Sequence, residues 1–309
     1  MSALDRVLRY DGHVRRRGRL LGRLGRSLVN PAMYPVAPLA RAFWYDGIAN
    51  FGDALTPWLL LRAGVIPIHS APEAASLVGV GSIIELLPRD YSGDIWGAGL
   101  LRGERVELPE ARYLAVRGEL TRDILGSGDV ALGDPGLLVS TFMRRPRPRW
   151  RLGIVPHHMH EGDALWPQIA AGAGPAVRII GVRRAPSVVL KEIAACETIL
   201  STSLHGLITA DAFGIPAVWA RRAPDLWGGQ FKFRDYQSAL PAGAARQIDL
   251  DGVTVEAVCR YARTVDATGV AERQEALLRA LSAARLPRVP PPRAVAHARS
   301  RSRPTMTAD

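Results

Sequence analysis

The sequence contains little cysteine, little lysine and no long uninterrupted apolar run. Its two cysteines, Cys196 and Cys259, lie far apart, which excludes a disulfide scaffold and a paired zinc-ligand spacing. This cysteine usage favours a reducing, cytoplasmic setting. No apolar run reaches the roughly 20 residues that a membrane-spanning helix needs. Because 48% of the 309 residues are hydrophobic, we expect a folded body rather than a disordered chain.

The net charge of +11 is carried by the two ends of the chain. Residues 1–30 contribute +6 and residues 281–309 contribute +5, so residues 31–280 are neutral. A folded nucleic-acid binder usually carries its basic face on the body, so we expect no nucleic-acid partner. The arginine-rich ends are either solvated tails or segments that contact anionic lipid peripherally at the inner face of the membrane.

Strands that alternate with helices predict an α/β fold with parallel sheets on both sides of a linker. The linker is Arg144–Arg149, where proline and arginine oppose both helix and central strand. The chain then divides into a basic N-terminal arm (1–38), a first α/β domain (39–143), a second α/β domain (150–250), a C-terminal helical segment (251–285) and a disordered basic tail (286–309).

The pattern of apolar residues and helix signals also predicts individual elements. We expect a strand over 42–45 and helices over 55–62, 119–125, 188–196 and 204–213. Ser187 fits the N-cap of the helix at 188–196. The stretch 253–281 reads as one long helix with a break near Gly269.

The most informative segment is Ser201–Leu207, where a predicted strand ends and a helix begins. Ser203 fits the N-cap of that helix, which puts His205 in its first turn. Unpaired amides and the helix dipole suit an anion there, and they keep the imidazole neutral until an anion binds. A neutral histidine beside a bound phosphate can exchange protons. The alternative is that His205 only caps or packs.

Other polar residues follow predicted strands or lie near the cleft that the strands define. Asn50 and Asp53 either hydrogen-bond a sugar or phosphate or serve turn chemistry, and we expect binding for Asn50 and a helix cap for Asp53. Asp134 precedes Pro135 and is expected to be a cap. Lys232, one of two lysines, either lines the cleft or ends a solvated strand.

Three histidines, His157, His158 and His160, follow the first strand of the second half. Consecutive residues at a strand end point apart, and few carboxylates lie nearby in the sequence. We therefore predict no metal site, and we expect His157 and His158 to face the cleft.

Several of these stretches resemble the polysaccharide pyruvyl transferase family. The similar stretches, which together span roughly residues 42 to 240, are Asn50–Asp53, Arg117–Thr121, Gly133–Pro135, Pro156–His158 and Ser203–Gly206 with its helix to Pro216. The resemblance implies transfer of the enolpyruvyl group of phosphoenolpyruvate onto a sugar, with no cofactor, to form a pyruvate ketal and release phosphate. It also implies two Rossmann-like domains facing a cleft, similar to the GT-B glycosyltransferase architecture.

The resemblance also assigns roles to residues. It implies that His205 transfers a proton and that Arg117 clamps the carboxylate or phosphate of the donor, whereas the alternative for Arg117 is a surface pair with Glu119 or Asp123. Leu204 and Gly206 belong to the motif that binds substrate. Some family members carry arginine at the position of Ser203, so Arg117, Arg183 or Arg184 would have to supply that charge here.

The sequence therefore predicts a cytoplasmic pyruvyl transferase whose acceptor is a sugar of a polysaccharide or of its lipid-linked precursor. Two alternatives stay open. One is a nucleotide-sugar glycosyltransferase of similar architecture, because that class also needs an anion site at a helix N-terminus. The other is a non-enzymatic partner protein that its basic ends recruit to a membrane.

Overall fold

The computed structural model describes residues 37–171, 173–240, 246–250 and 252–289. Within these residues the chain forms two parallel sheets flanked by helices, which confirms the predicted α/β fold with two Rossmann-like halves. The basic segments 1–36 and 290–309 lie outside the described residues, as does the membrane contact predicted for them. Among the described helices, none is both long and apolar enough to cross a bilayer.

The first half contains six parallel strands and three helices. The strands are β1 (Ala37–Phe43), β2 (Ile66–His69), β3 (Leu77–Val78), β4 (Asp94–Trp96), β5 (Arg112–Val116) and β6 (Ala131–Leu132), and the helices are α1 (Leu55–Arg62), α2 (Glu119–Leu125) and α3 (Val139–Phe142). β1 pairs with β2 and with β3, and the sheet continues through β4 and β5 to β6. The bounds predicted for α1 and α2 are confirmed. The first strand begins five residues earlier than predicted.

The second half is a five-stranded parallel sheet in the order β11–β10–β9–β7–β8. Its elements are β7 (Trp150–Val155), α4 (Leu165–Ala171), β8 (Val177–Ile179), α5 (Pro186–Ala194), β9 (Cys196–Ser201), α6 (Leu204–Ala212), β10 (Ala217–Ala220), α7 (Phe231–Ser238), β11 (Gln247–Ile248) and α8 (Val255–Tyr261). Helix α5 begins at Pro186 after Ala185, so the predicted N-cap at Ser187 is wrong. Proline at the first helical position explains the earlier start.

The chain crosses back to the first half at its C-terminal end. The predicted helix is indeed interrupted, but the break lies at residues 262–266, between α8 and α9 (Ala267–Ser282), and not near Gly269. The carboxylate of Asp266 caps α9 by accepting from the amide of Gly269 at 2.7 Å. Helix α9 packs against the first sheet, where the Trp96 indole donates to the carbonyl of Leu277 at 2.8 Å. Strand β12 (Arg288–Val289), within the predicted disordered tail, pairs antiparallel with β1.

Both sheets reverse their strand order next to their first strand. β1 has β2 and β3 as parallel neighbours, and β7 has β8 and β9. In open α/β sheets, ligands bind outside the carboxyl ends of the strands at such a reversal. The amide of Phe51, after β1, donates to the carbonyl of Val182, after β8, at 2.8 Å, so the loops at these ends meet across the halves.

Candidate active site

A pocket of about 130 Å³ lies between the halves at the carboxyl ends of the strands. Its walls come from segments that follow β1, β3 and β4 in the first half and β7, β9 and β10 in the second, so the two reversals face one another across it. The lining residues are Tyr45, Ile48, Asn50, Asp53, Ser82, Ile83, Leu86, Leu101, His157, His158, Met159, Ser203, Leu204, His205, Trp227 and Lys232.

The histidine of the Ser-Leu-His-Gly motif lies in the first turn of α6, as predicted. Helix α6 begins at Leu204, and Ser203 occupies the N-cap position, although its hydroxyl makes no capping hydrogen bond. The side chain of His205 is 9% exposed, and its Nε2 lies 3.8 Å from Oδ2 of Asp134. Burial lowers the pKa of His205 to about 3, and the charges of Lys232 and Arg117 contribute to the same shift. The ring is therefore neutral near pH 7.

Glycine at residue 52 allows the loop after β1 to lie directly against the His205 ring. A Cβ atom on Gly52 would be 2.0 Å from Nδ1 of His205, closer than any real contact of that kind. Phe51 packs edge-on against the same ring, with 6.3 Å between ring centroids. The Asn-Phe-Gly-Asp motif therefore packs against one side of the His205 ring and holds the ring in place. No periodicity in the sequence reveals this contact.

Asn50 and Asp53 both reach the pocket and are bonded to each other. The Asn50 amide donates to Oδ2 of Asp53 at 3.0 Å. Helix α1 instead has Ala54 at its N-cap without a side-chain cap, so the helix cap predicted for Asp53 is wrong. Burial raises the pKa of Asp53 to about 6, whereas the hydrogen bond from Asn50 and the charge of Lys232 act to lower it. A short polar wall of the pocket thus carries a carboxyl group that titrates close to neutral pH.

Lys232 supplies the positive charge among the lining residues within the described part of the chain. It lies in the first turn of α7 and is only 8% exposed. The alternative that Lys232 ends a solvated strand is therefore wrong. Burial lowers its pKa to about 8, with the Arg117 charge acting in the same direction and the Asp53 charge opposing it. The ammonium group therefore stays charged near pH 7 in a poorly hydrated place, which favours the binding of an anion.

Arg117 does not line the pocket. Its fully buried guanidinium donates from Nε to Asp235 at 2.8 Å, from Nη1 to the Ser82 hydroxyl at 2.5 Å and from Nη2 to the Leu100 carbonyl at 2.6 Å. The surface pair with Glu119 or Asp123 is wrong, because the partner is Asp235, 118 residues further along the chain. Arg117 is therefore not placed to clamp a ligand directly, because Nε, Nη1 and Nη2 each already donate a hydrogen bond to the protein.

The Arg117–Asp235 pair holds α7 in place. Asp235 also accepts from the amide and the hydroxyl of Thr121, both at 2.7 Å, so the start of α2 is tied to α7. A Cβ atom on Gly118 would lie 1.7 Å from the Asp235 carbonyl oxygen, which explains the glycine after the arginine. Because Lys232 is one turn away from Asp235 on α7, this cluster sets the position of the lysine in the pocket.

Arg183 and Arg184, the other arginines predicted to replace the family arginine, are engaged elsewhere. Arg183 pairs with Glu161 at 3.0 Å and is not among the lining residues. Arg184 pairs with Glu192, and its Nε donates to the Gly181 carbonyl. Gly206 also lies outside the lining, where a Cβ atom would collide with the Ser201 hydroxyl at 2.4 Å. Gly206 therefore serves close packing at the start of α6.

His157 and His158 line the pocket as expected, whereas His160 does not. Burial lowers the pKa of His157 strongly and that of His158 to about 4, so both rings are neutral near pH 7. His160 is buried, with Nε2 donating to the Pro224 carbonyl at 2.9 Å and Nδ1 accepting from the Thr202 hydroxyl at 3.1 Å. Within the described residues, no group of three or more His, Cys, Asp or Glu side chains is placed to hold a metal ion.

The structure adds one contact and several lining residues that the sequence did not indicate. Asp134 caps the turn at 135–138 through Oδ1, as predicted, but its Oδ2 faces His205. Ile83, Leu86 and Trp227 contribute apolar side chains to the lining of the pocket, and we call these three residues the apolar wall. Trp227 is 42% exposed. It lies next to Gly228, which packs so tightly on the first half that a Cβ atom would be 2.2 Å from the Leu101 carbonyl.

The class defined by this fold and pocket is a two-domain α/β protein with a cleft between parallel sheets. Comparison with known proteins is specific: residues 93–222 match the model of the family "Polysaccharide pyruvyl transferase". This part of the chain is therefore similar to the polysaccharide pyruvyl transferase family, and the resemblance seen in the motifs is confirmed.

Two curated relatives are similar to this chain. The succinoglycan biosynthesis protein ExoV of Rhizobium meliloti (strain 1021) is 29% identical over 208 residues, which is 64% of each chain. The uncharacterized protein L143 of Acanthamoeba polyphaga mimivirus is 32% identical over 156 residues, covering 47% of this chain and 54% of the relative. The matches thus span less than two thirds of either relative's length.

Proposed function

We propose that this protein is a cytoplasmic enzyme that transfers the enolpyruvyl group of phosphoenolpyruvate onto a saccharide during exopolysaccharide synthesis. The observation that carries the proposal is a pocket lined by both a neutral His205 and a charged Lys232. The pocket lies where the strand order of each sheet reverses. The family of the matched domain and the biosynthetic role printed for the Rhizobium relative support the same reaction class.

The donor is a small anion with a phosphate and a carboxylate. Lys232 is the cation positioned to bind one of these groups, and the first-turn amides of α6 provide further donors. Lys232 thereby replaces the charge that the sequence assigned to an arginine, since Arg117, Arg183 and Arg184 are paired with carboxylates elsewhere. Arg117 acts through Asp235 and α7 as a positioning residue.

The reaction needs one proton on carbon and removes two from the acceptor. Protonation of the methylene carbon of phosphoenolpyruvate makes a methyl group and leaves positive charge on the adjacent carbon, which an acceptor hydroxyl attacks. A second hydroxyl then displaces phosphate, and the ketal closes. Of the two hydroxyl protons, one returns to the group that protonated the carbon and the other leaves with phosphate. We assign the transfer of the first proton, in both directions, to His205, which lines the pocket and lies in the motif shared with the family.

The acceptor is proposed to lie over the apolar wall of the pocket. A pyranose ring has an apolar face of C–H groups that packs on aromatic and aliphatic side chains, and Ile83, Leu86 and Trp227 offer such a surface beside the polar groups. Asn50 and Asp53, which also line the pocket, are proposed to hydrogen-bond the sugar hydroxyls. A lipid-linked acceptor, brought to the inner membrane face by the basic ends, is part of the same proposal.

Incubation with phosphoenolpyruvate and a panel of saccharides, followed by phosphate release and product mass, tests the proposal. We expect a product that is heavier than its acceptor by the mass that one pyruvate adds when it forms a ketal. His205→Gln should fold and bind phosphoenolpyruvate, but its turnover should fall about 10²–10⁴-fold, the usual contribution of acid–base catalysis. Transfer from a nucleotide sugar with none from phosphoenolpyruvate would instead identify a glycosyltransferase.

A further inference from the structure

Two buried polar atoms face each other behind the pocket without hydrogen-bond partners among the described residues. They are Nε2 of His205 and Oδ2 of Asp134, 3.8 Å apart. The other carboxylate oxygen of Asp134 accepts from the amide of Gly136 at 2.8 Å, which fixes the carboxyl group in place. Buried polar atoms are almost always paired in proteins, so an unpaired couple at this distance calls for a functional explanation.

The orientation of the imidazole ring separates its two nitrogens. Nε2 is buried against Asp134, whereas Nδ1 lies on the side of Gly52, whose loop forms one wall of the pocket. Because Nε2 is buried beside Asp134, we assign contact with a ligand to Nδ1. The imidazole ring thus lies between Asp134, which it approaches with Nε2, and Gly52, which it approaches with Nδ1, and His205 itself lines the pocket.

We propose that Asp134 and His205 form a proton relay in which Asp134 restores the proton that His205 delivers to the substrate, an inference that rests on the proposed function. Nδ1–H of His205 gives its proton to the methylene carbon while the Asp134 carboxyl gives its proton to Nε2. Asp134 is left as a carboxylate, and the substrate gains the positive charge. When the acceptor hydroxyl attacks, its proton enters at Nδ1 and the proton on Nε2 returns to Asp134.

The surrounding charges explain why a pair is needed. Lys232 and Arg117 both act on His205, so an isolated imidazolium ion there is unfavourable. Asp134 is acted on by Arg117, which stabilises the carboxylate, and by Asp235 and Asp53, which oppose it. Burial, the largest influence, raises the pKa of Asp134 to about 7, so its carboxyl group holds a proton through much of the neutral range. In the relay the imidazole ring never has to carry a lasting charge.

The relay predicts that the tautomer of His205 depends on pH. While Asp134 is protonated, the His205 proton lies on Nδ1 because Nε2 faces a donor. Once Asp134 ionises, the proton moves to Nε2 and points at the carboxylate. We would record ¹⁵N chemical shifts of labelled histidine in the free protein from about pH 5 to about pH 9, a range that brackets the raised pKa of Asp134. The His205→Gln variant assigns the signals.

Two variants complete the experiment. Asp134→Asn keeps an oxygen for the Gly136 amide but cannot ionise, so we expect one His205 tautomer throughout the range. Asp266→Asn makes the same change at the cap of α9, away from the pocket. In this variant we expect the tautomer of His205 to change with pH as it does in the parent. Turnover of the parent should fall as pH rises through the same midpoint, and Asp134→Asn should lose about 10²–10⁴-fold of its turnover at every pH.

The outcomes for the relay and for the proposed function are distinguishable. One tautomer in the parent across the range, or an unchanged switch in Asp134→Asn, would overturn the relay, as would near-normal turnover of that variant. Because the chemical shifts are measured without substrate, they stand even where the parent makes no product from phosphoenolpyruvate. Failure to make that product would overturn the proposed function, and with it the substrate step of the relay.

Discussion

Replacing Gly52 by alanine tests whether catalysis depends on the position of the His205 ring. The new methyl group would lie 2.0 Å from Nδ1 and 2.5 Å from Cγ of His205, whereas ordinary contacts begin near 3.4 Å. The ring, or the loop that carries residue 52, must therefore move by roughly 1.4 Å, the difference between 2.0 and 3.4 Å. Movement of the ring changes its place relative to both the pocket and Asp134.

The size of the effect follows from that displacement. A misplacement of about 1 Å in an active site costs about 10²-fold in rate, so we expect turnover of Gly52→Ala to fall by at least about that factor. Overpacking of this kind lowers the free energy of unfolding by about 1–3 kcal/mol. The affinity for phosphoenolpyruvate should change far less, because Lys232 lies on a different element.

The assay compares phosphate release, donor binding and thermal unfolding in the parent, Gly52→Ala and Gly162→Ala. Gly162 lies in the turn between β7 and α4, where an added Cβ atom would meet nothing within 4 Å, so its variant controls for the substitution itself. We expect parent-like values for Gly162→Ala. A folded Gly52→Ala protein with turnover within about twofold of the parent would refute the assigned role of the ring.

Three further outcomes are expected. Arg117→Ala leaves the buried Asp235 without its partner and should lower the free energy of unfolding by about 3–5 kcal/mol, measured by denaturant titration; a loss below about 1 kcal/mol would contradict the buried pair. Lys232 is charged below its pKa of about 8 and neutral above it, so calorimetric affinity for phosphoenolpyruvate should weaken as pH rises past 8, and Lys232→Gln should abolish that dependence. Trp227→Ala should raise KM for the saccharide without changing donor affinity, whereas Tyr261→Ala, exposed on α8, should change neither; equal effects of the two would exclude the apolar wall as acceptor site.

The sequence by itself determined the local geometry of the site. Glycine, serine, asparagine and aspartate at strand ends mark tight corners, and parallel strands bring such corners to one edge of a sheet. Helix α6, with His205 in its first turn, follows from the serine-rich corner alone. The neutrality of His205 was also predicted, although burial and the charges of Lys232 and Arg117 account for it.

Tertiary structure decided the partners of the charged groups. The family resemblance assigned Arg117 to the carboxylate or phosphate of a ligand, whereas the fold supplies its planar cation with a carboxylate from Asp235 on α7. The cap at Asp134 was evident from its neighbour Pro135, whereas the approach of its second oxygen to His205 needs both halves packed together. Hydrogen-bond partners far apart in sequence depend on how helices and sheets pack, and packing is a property of the whole chain that no local spacing encodes.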